Sequence, residues 1–133
     1  MSNLVDQLIV EIDRGLKFSA SNTQECKRPY PAETTAEVPL TEIEKNYSAS
    51  LMRVNHAGEV CAQALYRGQS LTTELNDTRD QMKQAADEEL DHLAWCSKRL
   101  EELGADTSIL NPLWYVMSFS IGILTGLTGD KRS

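Results

Sequence analysis

Glu89 and His92 stand three residues apart in the stretch EELDHLAWC, residues 88 to 96. On a helix that spacing leaves two side chains about 60° apart and one turn along, so both can converge on a single point. A carboxylate and an imidazole meeting there suit a divalent transition metal. Met82, Ala85, Ala86, Leu93, Cys96, Leu100 and Leu103 keep the three-and-four spacing of a buried stripe around them. Asp87, Glu88, Asp91, Lys98, Glu101 and Glu102 fall mainly off that stripe, and the cluster of Asp87, Glu88 and Asp91 reads as solvated surface. Burying an unpaired carboxylate costs on the order of several kcal/mol, so Glu89 inside the stripe calls for a positive partner. Glu-x-x-His is also common on exposed helices, where it is only a solvated pair; the surrounding stripe is what favours a ligand.

Glu-x-x-His is the inward motif of di-iron carboxylate bundles, which also draw a single Glu from each of two other helices. RVNHAGEVCAQALYRGQ, residues 53 to 69, offers such a residue in Glu59. It shares a helix face with Asn55, His56, Ala62, Gln63 and Tyr66, polar or small but uncharged. The next face carries Val54, Ala57, Gly58, Cys61, Ala64, Leu65 and Gly68, mostly small enough to let another helix approach closely. Gly58 costs a helix interior about 1 kcal/mol relative to Ala, which suggests tight packing or room beside Glu59. His56 precedes Glu59 by three residues, the reverse of the usual order, and is expected to hydrogen-bond near the site rather than ligate. Asn55 and Tyr66 are further hydrogen-bonding neighbours, and Cys61 and Cys96 read as small core residues.

The positioning elements follow from capping and periodicity. Thr41-Glu42-Ile43-Glu44 matches a capping box, from which a long helix should run to about Leu75. Asn76-Asp77-Thr78 breaks it, Thr78 with Gln81 offers a second box, and the second helix should end at Leu103 with Gly104 as its stop. Leu4, Leu8, Ile12 and Leu16 mark a short amphipathic helix within residues 1–18. Residues 19–40 hold three of the four prolines and read as a linker to the main domain, 41–133. Ile109 to Thr128 contains no charged residue but is interrupted by Pro112, Gly122 and Gly126, which suits an interfacial or buried apolar helix better than a membrane span. Trp114, Tyr115 and Phe119 fit a core, membrane anchors or a substrate pocket equally well.

A net charge of −7 with 25% charged residues disfavours nucleic acid, because phosphate-binding surfaces need clustered Lys and Arg. Cys26, Cys61 and Cys96 are odd in number and contain no C-x-x-C pair, which fits a reducing compartment. Asp6, Glu11 and Asp13 fall where a signal peptide would have to be apolar, so an export signal is not expected.

LMRVNHAGEVCAQALYRGQ, EELDHLAWC, and LNPLWYVMSFSIG followed by GDK together resemble the bacterial demethoxyubiquinone hydroxylase family, from about residue 40 onward. The resemblance implies an all-α, ferritin-like di-iron bundle and a peripheral membrane protein on the cytoplasmic side of the cell membrane. It implies two iron ions per complete site, with Glu59 as single-Glu ligand, Glu89 as bridging carboxylate and His92 as imidazole ligand, and no catalytic residue beyond these. The implied substrates are a 6-methoxy-3-methyl-2-polyprenyl-benzoquinol and O2, reached through residues 109–128 at the membrane surface.

Family members continue past GDK with a second helix pair carrying another Glu and another Glu-x-x-His, whereas this sequence stops at Ser133. Only the N-terminal half of the bundle and half of the ligands are therefore expected. Three readings stay open: an inactive fragment; a homodimer in which two copies complete the six-ligand site; or a non-catalytic membrane-associated helical protein whose carboxylates are paired with Arg or Lys. The partners expected are a second copy or other ubiquinone-biosynthesis proteins.

Overall fold

The structure, a computed structural model, describes residues 3–20 and 26–129. The expected first segment and linker therefore fall partly outside it, at Met1, Ser2 and residues 21–25, as do residues 130–133. Four helices and no strand occur among the described residues: α1 (Leu4–Ala20), α2 (Glu42–Thr72), α3 (Asn76–Glu102) and α4 (Asn111–Gly129). The all-α class is the one expected from sequence.

The start of α2 follows the capping-box reading: the Thr41 hydroxyl accepts from Glu44 N, and Thr41 N donates to the Glu44 carboxylate. The corner between α2 and α3 has the expected three-residue length but lies about three residues earlier in the chain. The α2 helix stops at Thr72, and α3 begins at Asn76, with Leu75 as a cap that makes no side-chain hydrogen bond. Arg79 replaces the expected Thr78–Gln81 box: Arg79 N donates to Leu75 O, and Arg79 Nη2 donates to Thr73 O at 2.7 Å. A guanidinium thus satisfies a carbonyl left bare by the short connection. The far end of α3 stops where Gly104 stands, at φ +68. Gly104 N donates to Glu101 O and Ala105 N to Leu100 O, the paired bonds of a Schellman ending.

The α2 helix is the central element. The α3 helix folds back against it, α4 runs alongside it in the same direction, and α1 lies mainly on α4. Close approach of α2 and α4 depends on glycines at matching heights. A Cβ at Gly68 would overlap the Phe119 carbonyl, one at Gly122 the Leu65 carbonyl, and one at Gly126 the Thr72 side chain. The small-residue face expected on α2 is thus used at its C-terminal end. Near Glu59 it is open: a Cβ at Gly58 meets nothing within 4 Å, and Val54 is exposed.

Val60, Ala64, Leu93, Tyr115 and Phe119 form the core, with Leu8, Leu71, Leu90 and Ile123 packed around them. Tyr115 and Phe119 therefore belong to the core, their rings stacked 6.1 Å apart. The Tyr115 hydroxyl donates to Glu11, whose carboxylate also receives Arg14 at 2.7 Å, and this buried knot docks α1 onto α4. Between the two helices lies a groove of about 260 Å³ walled by Leu8, Ile12, Val116 and Phe119. Outside it, α1 exposes Leu4, Val5 and Ile9, and α4 exposes Leu113, Met117, Ile121, Leu124 and Leu127. Among the described residues no helix is long and apolar enough to cross a membrane.

Candidate metal centre

The α2–α3 hairpin sets the heights of three side chains that the sequence separates by up to a helix and a turn. Glu59 projects from α2, and Glu89 and His92 from α3, with one ligand atom of each within 4.8 Å of the others. His92 Nδ1 lies 2.9 Å from Glu89 Oε2 and 3.8 Å from Glu59 Oε2, so that ring nitrogen is the one turned toward both carboxylates. The flanking residues match the expected stripe only in part. Ala86, Leu93 and Leu100 are buried, whereas Met82, Ala85, Cys96 and Leu103 are half-buried. The cluster sits at the stripe's edge: the side chains of Glu59, Glu89 and His92 are 28%, 17% and 38% exposed.

The electrostatics are those of two carboxylates crowded together beside an imidazole. Burial, a hydrogen bond with Glu89 and the charge of Glu89 push the Glu59 carboxyl up to about 7, against the opposing pull of His92. Burial acts upward on Glu89 as well, but hydrogen bonds from Glu59 and His92 and the charge of Arg28 bring it below the usual carboxylate range. One proton held between two carboxylates is what like charges in close contact require, and a metal ion can take its place. Among the described residues neither Glu59 nor Glu89 forms an ion pair with Arg or Lys, contrary to the reading in which these carboxylates are merely charge-paired. Two carboxylate donors and one imidazole fit iron in type.

The remaining residues singled out from sequence divide. His56 is buried, and its Nδ1 accepts from Asn111 Nδ2 at 3.3 Å, so it ties α2 to α4. Desolvation lowers its pKa to about 4, which keeps it neutral. Asn55 is exposed and Tyr66 half-buried. Cys61 and Cys96 are free and half-buried, and burial followed by the charge of Glu59 pushes the Cys96 thiol up to about 11, away from the reactive thiolate.

Asp91 overturns its expected place in a solvated cluster. It is 3% exposed and accepts from Lys27 N and Arg28 Nε, both at 2.7 Å. The segment before α2 covers it, and no helical periodicity could show a partner 63 residues away. Gln63 carries a further unread signal: it is fully buried one turn beyond Glu59, and neither of its side-chain polar atoms has a hydrogen-bond partner.

Residues 46–133 match the family model of ubiquinone biosynthesis protein COQ7. The chain belongs to the COQ7 family. It is 47% identical over 133 residues to the 3-demethoxyubiquinol 3-hydroxylase of Marinomonas sp. (strain MWYL1), covering 100% of this chain and 63% of that protein. It is 51% identical over 129 residues to the protein of the same name from Acinetobacter baylyi, covering 97% and 61%. The Legionella pneumophila (strain Paris) protein of that name is 51% identical over 133 residues, covering 99% and 62%. The chain thus spans about three fifths of the length of these COQ7-type relatives. No solved structure matches it.

Proposed function

We propose that this chain supplies ligands to the di-iron centre of a quinol monooxygenase in ubiquinone biosynthesis. The reaction hydroxylates the ring of a 6-methoxy-3-methyl-2-polyprenyl-1,4-benzoquinol. One atom of O2 enters the ring as hydroxyl, and the other leaves as water with two electrons and two protons from a reductant. The convergence of Glu59, Glu89 and His92 in a COQ7-family chain carries this reading. The similar proteins named 3-demethoxyubiquinol 3-hydroxylase support it.

Glu59 and Glu89 would hold iron in exchange for their shared proton, and His92 would ligate through Nδ1, the nitrogen turned toward them. Iron supplies the redox equivalents and open coordination positions that activate O2. Glu89 Oε2, 2.9 Å from His92 Nδ1, is close enough to orient the ring. The apolar faces of α1 and α4 give the polyprenyl chain a route from the bilayer, with the protein lying peripherally on the cytoplasmic side. The ligand face is open at Gly58, so a second copy across a two-fold axis is a partner able to add another Glu59, Glu89 and His92.

The test is a reaction with ¹⁸O2 after anaerobic Fe(II) loading, with the quinol and a reductant present. The expected product carries one ¹⁸O on the ring, and Glu89→Ala abolishes it. A chain that holds iron yet returns only unmodified quinol would contradict the hydroxylase activity while leaving the metal site standing.

A further inference from the structure

Gln63 is 0% exposed, and neither Nε2 nor Oε1 of its amide has a hydrogen-bond partner among the described residues. Because both atoms are unpartnered, exchanging the two ends of the amide satisfies neither. Native interiors retain few such groups, and each lowers stability where an apolar side chain of similar volume would not. The chain thus keeps a polar group here at a cost to its fold.

Its neighbours on α2 show where it faces. Glu59, Gln63 and Arg67 stand at four-residue intervals, successive turns of one helix face. Glu59 meets Glu89 and His92 of α3 at one end of this column, and Arg67 Nη2 donates to Asp87 Oδ1 of α3 at 3.2 Å at the other. Gln63, between two contacts with α3, faces that helix one turn from the Glu59 carboxylate. Residues four apart on a helix have Cβ atoms about 5 to 6 Å apart, a gap that Gln and Glu side chains can close. On α3, Ala86 is fully buried three residues before Glu89, so the facing helix offers a methyl group at this level and no competing polar partner.

A carboxylate that ligates a metal through one oxygen keeps lone pairs on the other, and such carboxylates are held in place by hydrogen bonds from neighbouring residues. Glu89 and His92 brace each other at 2.9 Å on one helix, whereas Glu59 comes alone from α2 and has the Gln63 amide as its buried neighbour one turn on. We propose that Gln63 is a positioning residue for the metal centre, its amide donating to Glu59 when Glu59 holds the ion. This rests on the metal reading of Glu59, Glu89 and His92. A Gln63 that only filled the core would behave differently, since replacing it by an apolar side chain would leave metal affinity unchanged.

The test uses Zn(II), which is redox-inert, with the full chain. Gln63→Met keeps the length of the side chain and removes both amide atoms. Calorimetric titration should show it binding Zn(II) about tenfold more weakly, while the urea midpoint of the metal-free variant stays at the wild-type value or rises. Gln63→Leu, which fills the space with a different shape, should give the same pair of results. Ser97→Ala is the control: Ser97 Oγ is also buried and unpartnered among the described residues, but it lies five residues beyond His92, and its loss should leave affinity unchanged. Wild-type affinity in the Gln63 variants overturns the proposal. So does a loss of affinity that comes with a lower metal-free midpoint, or one that Ser97→Ala matches. A wild-type chain that binds no Zn(II) overturns the metal reading and the role of Gln63 together.

Discussion

The meeting of Glu89 and His92 was legible because their i, i+3 spacing on α3 is local information, whereas Glu59 reaches them across the α2–α3 hairpin and was suggested only by the pattern of di-iron bundles. Asp91 was misread for the converse reason: its burial comes from Lys27 and Arg28, which reach it across the chain. Glu89→Ala removes a charged ligand, a larger loss than that of a supporting residue, so iron affinity should fall about a hundredfold or more. Equilibrium dialysis against Fe(II) under nitrogen reads that loss, and wild-type affinity in the variant would remove Glu89 from the site. His56 titrates near 4 in the folded chain, against 6.5 for the free side chain. As pH falls the unfolded chain takes the proton first, so stability is complete above about 6.5 and declines toward 4, by about 3 kcal/mol in all. Urea midpoints should fall across that window in the wild type and stay flatter in His56→Gln.

Helix starts and stops were readable where a side chain or a glycine makes the cap, as at Thr41 and Gly104. The α2–α3 corner was not, because Arg79 closes it with a bond to a backbone carbonyl that no capping pattern records. The small residues of α2 signalled close packing without saying at which end. Contact with α4 puts it at Gly68, opposite Gly122, and leaves Gly58 free. Gly122→Ala would drive a methyl group into the Leu65 carbonyl and within 2.9 Å of Gln69 N. Neither backbone can yield without moving a helix, so a loss of about 1 to 3 kcal/mol is expected. Gly58→Ala meets open space and removes a helix-interior glycine, so it should gain up to about 1 kcal/mol. Urea unfolding of the two variants, compared at constant slope, should move the midpoints in opposite directions.

At the level of the whole molecule, α2 carries the core on one side and Glu59 of the candidate site on another, while α1 and α4 turn apolar side chains outward. Lack of charge in residues 109–128 was readable from sequence. Their division between a face on α2 and an outward face was not, because helix α4 is apolar nearly all round and only the glycine contacts choose its inner side. If the outward face rests on lipid, Ile121→Ser, at a position 51% exposed, should weaken co-sedimentation with lipid vesicles about tenfold, the equivalent of losing one buried aliphatic side chain. Equal partitioning of variant and wild type would remove that face from the membrane contact. The metal site admits the sharpest measurement, iron retained per chain after anaerobic Fe(II) loading and removal of the excess. Glu59, Glu89 and His92 acting together should retain about one iron per chain, and Glu89→Ala close to none. Retention near zero in the wild type would contradict the metal centre and leave the cluster a proton-sharing pair of carboxylates beside a histidine.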